Sequence, residues 1–133
     1  MIYIYRNPRD TMLSYLNFDR IIHKYTGTME LFADIFLEGL AFYYLPYFPH
    51  VLGYWKRRSQ ENLLVISYEE MQKDQPSIIR KIASFLGKEM SEEQVSELCY
   101  HTSFNQMKNN PKVNMKEKFD VSEIFLFPPL SWW

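Results

Sequence analysis

A single cysteine, Cys99, stands among 133 residues, which excludes an internal disulfide and makes a reducing compartment the expected setting. The three histidines, His23, His50 and His101, are spread along the chain with no zinc-like spacing to that cysteine, so no metal site is expected. An excess of charge of either sign is also lacking: 15 Lys and Arg against 16 Asp and Glu give a formal net charge of −1. Nucleic acid therefore finds no polyelectrolyte footprint, and any anion must be gripped by a few local groups. No apolar run approaches the length of a membrane span, and the opening "MIYIY" has neither a basic n-region nor a cleavage site. These absences predict a soluble, cytoplasmic protein with no membrane partner. Internal repeats and low-complexity linkers are missing too, which leaves one domain of a length able to bury a real core.

What is plentiful is aromatic: ten Tyr, ten Phe and three Trp. Such a share suits a large core or an aromatic-walled pocket, with core the plainer expectation.

Ile2, Tyr3, Ile4 and Tyr5 make a short β-branched and aromatic run, apolar on both faces as a buried parallel strand would be. Asn7 is then placed to cap a helix, Pro8 fits its first turn, and Asp10 complements the positive end of its dipole. Met12, Leu13, Leu16 and Ile21 carry this helix to about residue 25, with an end near Gly27. Thr28 caps a second helix bearing Leu31, Phe32, Ile35, Phe36 and Leu40 at helical spacing, both helices facing a core. "YYLPYFPHVLGYWKRR" predicts an irregular turn and a helix over residues 49–58. "NLLVISY", residues 62–68, reads as a second strand followed by acidic residues. The best-formed helix follows, with Pro76 and Ser77 at its start, a stripe of Ile78, Ile79, Ile82, Phe85 and Leu86, and Gly87 as its stop. Ser91 with Gln94 forms a capping box opening a shorter helix through Val95, Leu98 and Cys99. Beyond Asn109 the periodicity fades, and the ending "IFLFPPLSWW" is apolar enough to predict docking or self-association.

The stretch "YRNPRDTMLSY", residues 5–15, sets Arg6 at a strand-to-helix corner and Ser14 eight residues on, the kind of place where α/β proteins hold phosphate. From the residues alone, Arg6 could instead pair with Asp10, and Ser14 could bond its own backbone as helix serines often do. With "LLVISYEEMQKD", "IRKIASFLGK" and "HTSFNQMKNNP" following in order, the chain resembles the cytosolic sulfotransferase family from residue 1 to about Asn114. That family transfers a sulfuryl group from 3′-phosphoadenosine 5′-phosphosulfate to hydroxyls or amines.

The resemblance implies an α/β fold of the P-loop nucleoside-triphosphate-hydrolase type in partial form. A parallel sheet would be flanked by helices, with few strands retained and helix predominant. It divides the chain into a partial sulfotransferase domain, residues 1–114, and a divergent tail, residues 115–133. It implies that Arg6 and Ser14 hold the donor's 3′-phosphate, that Tyr68 contacts the adenine, and that Thr102 and Phe104 line the same base. Guanidinium offers a bidentate fork to phosphate oxygens and a hydroxyl adds one further bond. On their own, Tyr68 would read as a strand-end tyrosine and Phe104 as core. The implied donor cosubstrate needs no metal, and the implied partner is a small phenol, alcohol or amine.

The family's phosphosulfate loop, of the type Lys-Ser-Gly-Thr-Thr, its general-base histidine and its Arg-Lys-Gly loop have no counterpart in these 133 residues. His50, within an aromatic helix, reads as a hydrogen-bonded structural imidazole, and none of the three histidines as a catalyst. Two functions follow: a sulfotransferase-family protein read through its parent activity, or an inactive fragment serving as a nucleotide-binding or interaction module. A P-loop kinase-like phosphotransferase is disfavoured, because the chain has no Walker loop.

Overall fold

The computed structural model describes residues 1–40 and 46–113. Strand β1, Ile2–Tyr5, leads through a two-residue corner into helix α1, Pro8–Ile22. Asn7 caps that helix as expected, its side-chain oxygen accepting from the Arg9 amide at 2.9 Å, with Pro8 where no amide donor is needed. The helix stops earlier than its periodicity suggested. Lys24 takes a left-handed conformation, φ 54°, and the Tyr25 amide turns back to the Asp19 carbonyl at 3.1 Å.

Helix α2, Met29–Glu38, starts at the Thr28 cap and ends at Gly39. With φ 74° and the Pro46 Cβ only 2.7 Å from where a side chain would begin, Gly39 is required by both conformation and space. Phe32 and Phe36 are buried, whereas Leu31 and Leu40 are exposed, Leu40 lying beyond the helix end. The apolar spacing therefore reaches further round α2 than its buried face does. Helix α3, Tyr47–Trp55, begins two residues before the expected Pro49, which the first turn tolerates. It ends before Lys56, the chain then passing into turns.

Strand β2, Leu64–Ser67, is shorter than expected because Ser67 already caps helix α4, Tyr68–Lys73. Ser67 and Glu70 form a reciprocal capping box, so Tyr68 opens a helix instead of ending a strand. Asp74 caps α5, Gln75–Phe85, which stops before Gly87 at φ 64°. The expected Ser91–Gln94 capping box opens α6, Glu92–His101. A short α7, Phe104–Asn109, which periodicity did not suggest, follows.

β1 and β2 pair in parallel, Ile2 with Leu64, Tyr3 with Val65, Ile4 with Ile66 and Tyr5 with Ser67. Ile66 is fully buried, yet its partner Ile4 is 48% exposed and Ile2 is 36% exposed. The expectation of a strand buried on both faces is thus corrected: the cover over β2 does not extend across β1. Tyr3 and Tyr5 are covered by α3, Tyr3 stacking on Tyr54 at 4.0 Å and Tyr5 meeting Trp55 edge-on at 6.1 Å. Tyr15 of α1, Phe36 of α2 and Tyr47 of α3 join through aromatic contacts, while α5 packs on α4 and α6. The described residues thus form a short parallel sheet flanked by seven helices. The tail, residues 115–133, lies outside them.

Candidate nucleotide site

Parallel pairing places the carboxyl ends of both strands at one edge of the sheet, the edge where open α/β sheets bind ligands. Because Tyr5 pairs with Ser67, the residues that directly follow the two strands are Arg6 and Tyr68. The register alone makes them neighbours. The Arg6 guanidinium carbon lies 4.9 Å from the centre of the Tyr68 ring, within cation–π range. The N–H donors of a guanidinium lie in its own plane, a fork that suits an oxyanion approaching edge-on.

Asp10 also approaches Arg6, with 3.9 Å between its Oδ2 and a guanidinium nitrogen. That separation is an ion-pair contact but too long for a charge-assisted hydrogen bond. Ser14 lies half-buried on α1, one helical step beyond Asp10 on the same face. Asp10 and Ser14 therefore share one face of α1, with Arg6 at the corner before the helix and in ion-pair contact with Asp10. The helix contributes partial positive charge at its N-terminus, beside Arg6.

The corner holding Arg6 is fastened by side chains from two other helices. The Tyr47 hydroxyl donates to the Arg6 carbonyl, and the Asn7 amide donates to Glu69 Oε1 at 2.7 Å. The Asn7 carbonyl in turn accepts from the amide and the hydroxyl of Thr11 at 2.9 and 3.0 Å. Burial raises the Tyr47 pKa, so its hydroxyl stays a donor at neutral pH. Neither Tyr47 nor Glu69 stands out in the sequence as a site residue. The adjacency of Glu69 to Tyr68 was the only signal, and it acquires meaning only through the strand register.

Tyr68 accepts a hydrogen bond from Gln72 Nε2 at 2.9 Å, which leaves its hydroxyl proton available to a ligand. The Thr102 hydroxyl donates to the Leu98 carbonyl at 2.6 Å and accepts from Gln75 Nε2 at 2.7 Å. Its proton is committed and one lone pair is left. Phe104 is 54% exposed, a ring face open to solvent instead of a core residue. Gln72 and Gln75 flank the corner between α4 and α5, so the two hydroxyls are tied to neighbouring turns of the chain.

Each histidine is engaged elsewhere. His50 Nδ1 meets the Tyr3 hydroxyl at 3.0 Å. Burial pushes the Tyr3 pKa up to about 12, so the phenol stays neutral and shares one hydrogen bond with a structural imidazole. His23 Nδ1 meets Asp19 at 2.7 Å, and exposed His101 lies 3.7 Å from Glu97. Among the described residues no cluster of His, Cys, Asp and Glu could hold a metal, and no helix is long and apolar enough to cross a membrane.

The sulfotransferase domain model matches residues 1–125. Luciferin sulfotransferase of Photinus pyralis is 40% identical over 120 residues, covering 90% of this chain and 32% of that protein. Sulfotransferase 1B1 of Mus musculus is 41% identical over 116 residues, covering 86% of this chain and 38% of that protein. Retinol dehydratase, solved in a complex with retinol and PAP, superposes with a TM-score of 0.83 at 39% identity, over 88% of this chain and 35% of that one. The chain thus spans 32–38% of the length of these relatives, and its partial, helix-rich α/β fold is that of the solved relative over that span. With its strand-to-helix corner, its parallel register and nearly all of its length matched, the chain belongs to the sulfotransferase family.

Proposed function

We propose that this chain carries the nucleotide-gripping part of a sulfotransferase, which transfers a sulfuryl group from 3′-phosphoadenosine 5′-phosphosulfate to a hydroxyl or amine of a small molecule. The observation that carries the reading is Arg6 seated on Tyr68 at the carboxyl edge of the sheet, in a chain whose structural relatives were solved with PAP. Arg6 offers the 3′-phosphate a fork of N–H donors, Ser14 offers a hydroxyl, and the start of α1 adds partial positive charge. Tyr68 can donate to a purine ring nitrogen, Thr102 can accept from an exocyclic amine, and Phe104 can supply a ring face. The acceptor is a small phenol, alcohol or amine. Apolar side chains left exposed on β1, α1 and α2 support self-association of the 133 residues.

Transfer forms a bond from acceptor oxygen or nitrogen to sulfur and breaks the bond from sulfur to the 5′-phosphate oxygen. The step needs positive charge on the departing oxygen and a base for the acceptor's proton. No Lys-Ser-Gly-Thr-Thr segment is present in the 133 residues, and their histidines are otherwise bonded. Taken alone, these residues act as a nucleotide-binding module without turnover. Incubating the chain with radiolabelled donor and a panel of phenols, alcohols and amines should give no labelled product above background. Enzyme-level turnover that is abolished by replacing His23, His50 or His101 would overturn this assignment.

A further inference from the structure

We propose that Glu69 and Tyr47 are positioning residues that aim Arg6 at a 3′-phosphate by holding the Arg6–Asn7 peptide from both edges. The proposal rests on the nucleotide reading above and adds to it how the arginine is oriented. The Arg6 carbonyl and the Asn7 amide belong to one planar peptide unit and point to opposite sides of it. Tyr47 donates to the first and Glu69 accepts from the second at 2.7 Å. A plane bonded at both edges cannot rotate about the chain direction. Its orientation fixes ψ of Arg6, and with it the direction in which the Arg6 side chain leaves the backbone.

Both clamps are themselves anchored. Tyr47 is 8% exposed and packs against Phe36 at 5.5 Å and Phe48 at 5.3 Å between ring centres. Glu69 follows Tyr68, the residue on which the guanidinium rests, in the first turn of α4. Consecutive residues of one helix thus hold the arginine at its backbone and at its tip. Helix α4 is in turn locked to β2 by the Ser67–Glu70 capping box.

Glu69 also brings a negative charge toward a site meant for an anion, and this separates two roles that a single substitution would confuse. As a hydrogen-bond acceptor Glu69 should favour phosphate binding, and as a charge it should oppose it. Glu69→Gln keeps an acceptor oxygen and removes the charge, while Glu69→Ala removes both.

The test is calorimetric titration of the full 133-residue chain and its variants with 3′-phosphoadenosine 5′-phosphate and with adenosine 5′-phosphate, folding being checked by amide dispersion in nuclear magnetic resonance spectra. The parent chain should prefer the 3′-phosphorylated nucleotide. Glu69→Ala should cut that preference about tenfold and Tyr47→Phe by roughly three- to fivefold, the scale of a charged and a neutral hydrogen bond, while Glu69→Gln should keep or increase it. An unchanged preference in folded Glu69→Ala and Tyr47→Phe would overturn the positioning role and leave the nucleotide reading standing. Equal tightening in the Ala and Gln variants would show Glu69 to act by charge alone and would also overturn it. If the parent shows no preference for the 3′-phosphate, the nucleotide reading and the positioning role fall together. Should Glu69→Ala not fold, Tyr47→Phe decides: lost preference supports the proposal and retained preference overturns it.

Discussion

Arg6 does three things at once: it opens the corner after β1, its carbonyl takes a hydrogen bond from Tyr47, and its guanidinium lies on Tyr68 beside Asp10. The sequence motif names the residue but not this arrangement, because Tyr68 is 62 positions away and reaches Arg6 only through the parallel register. Gly39 is the opposite case, a residue whose role is wholly local. Its left-handed φ and the nearby Pro46 leave no room for a side chain. Gly39→Ala should therefore destabilise the fold by about 1–2 kcal/mol, read as a lower urea midpoint with an unchanged denaturant slope. A variant as stable as the parent would mean that the turn after α2 relaxes freely.

At the scale of elements, caps were legible and lengths were not. Asn7, Thr28 and Ser91 were readable as helix starts because a cap depends on residues within one turn of each other. Ser67 was missed for a related reason: it closes a strand and opens a helix, and the apolar run hid the second role. The end of α1 was misplaced because Lys24 adopts a conformation that no side-chain pattern announces. The junction of β2 with α4 also gives a pH dependence. The Ser67 backbone amide, and then its hydroxyl, hold the Glu70 carboxyl below its ordinary pKa, and Ser77 does the same for Asp74 through its side chain and then its backbone. A carboxyl whose folded pKa is depressed contributes stability above its unfolded pKa, and that contribution is lost as pH falls through the folded value. Ser67→Ala should cost about 1 kcal/mol at pH 7. The gap between variant and parent should narrow once pH falls well below about 4, where carboxylates are protonated in both. Urea midpoints at the two pH values measure this, and a gap that stays constant would show that the Ser67 hydroxyl contributes independently of the charge of Glu70, the Ser67 amide bond to that carboxylate being kept in the variant.

At the scale of the whole molecule, the decisive feature is a parallel pair of strands with its carboxyl edge dressed by α1, α3 and α4 and, among the described residues, one face of β1 left partly exposed. The strand-to-helix units were legible from the chain, since apolar runs, caps and stops all pointed to α/β architecture. The partly exposed face was not legible, because burial depends on which elements cover a strand, and Ile2 and Ile4 look the same in sequence whether covered or open. The candidate site was legible only as separate motifs. Arg6 and Tyr68 are brought together by register, Thr102 is tied to α5 through Gln75, and Ser14 shares a face of α1 with Asp10, the ion-pair neighbour of Arg6.

The proposed recognition of a 3′-phosphorylated adenine nucleotide at this edge of the sheet turns on Arg6. Calorimetric titration of the parent chain and of Arg6→Ala with 3′-phosphoadenosine 5′-phosphate and with adenosine 5′-phosphate tests it most directly. Arg6→Ala should weaken the first by about 2–4 kcal/mol, the scale set by loss of a charged hydrogen-bonding partner. The second should be nearly indifferent to the change, because it lacks the phosphate that Arg6 would hold. Equal weakening of both nucleotides, or of neither, would make Arg6 a structural partner of Asp10 and Tyr68 and contradict the account.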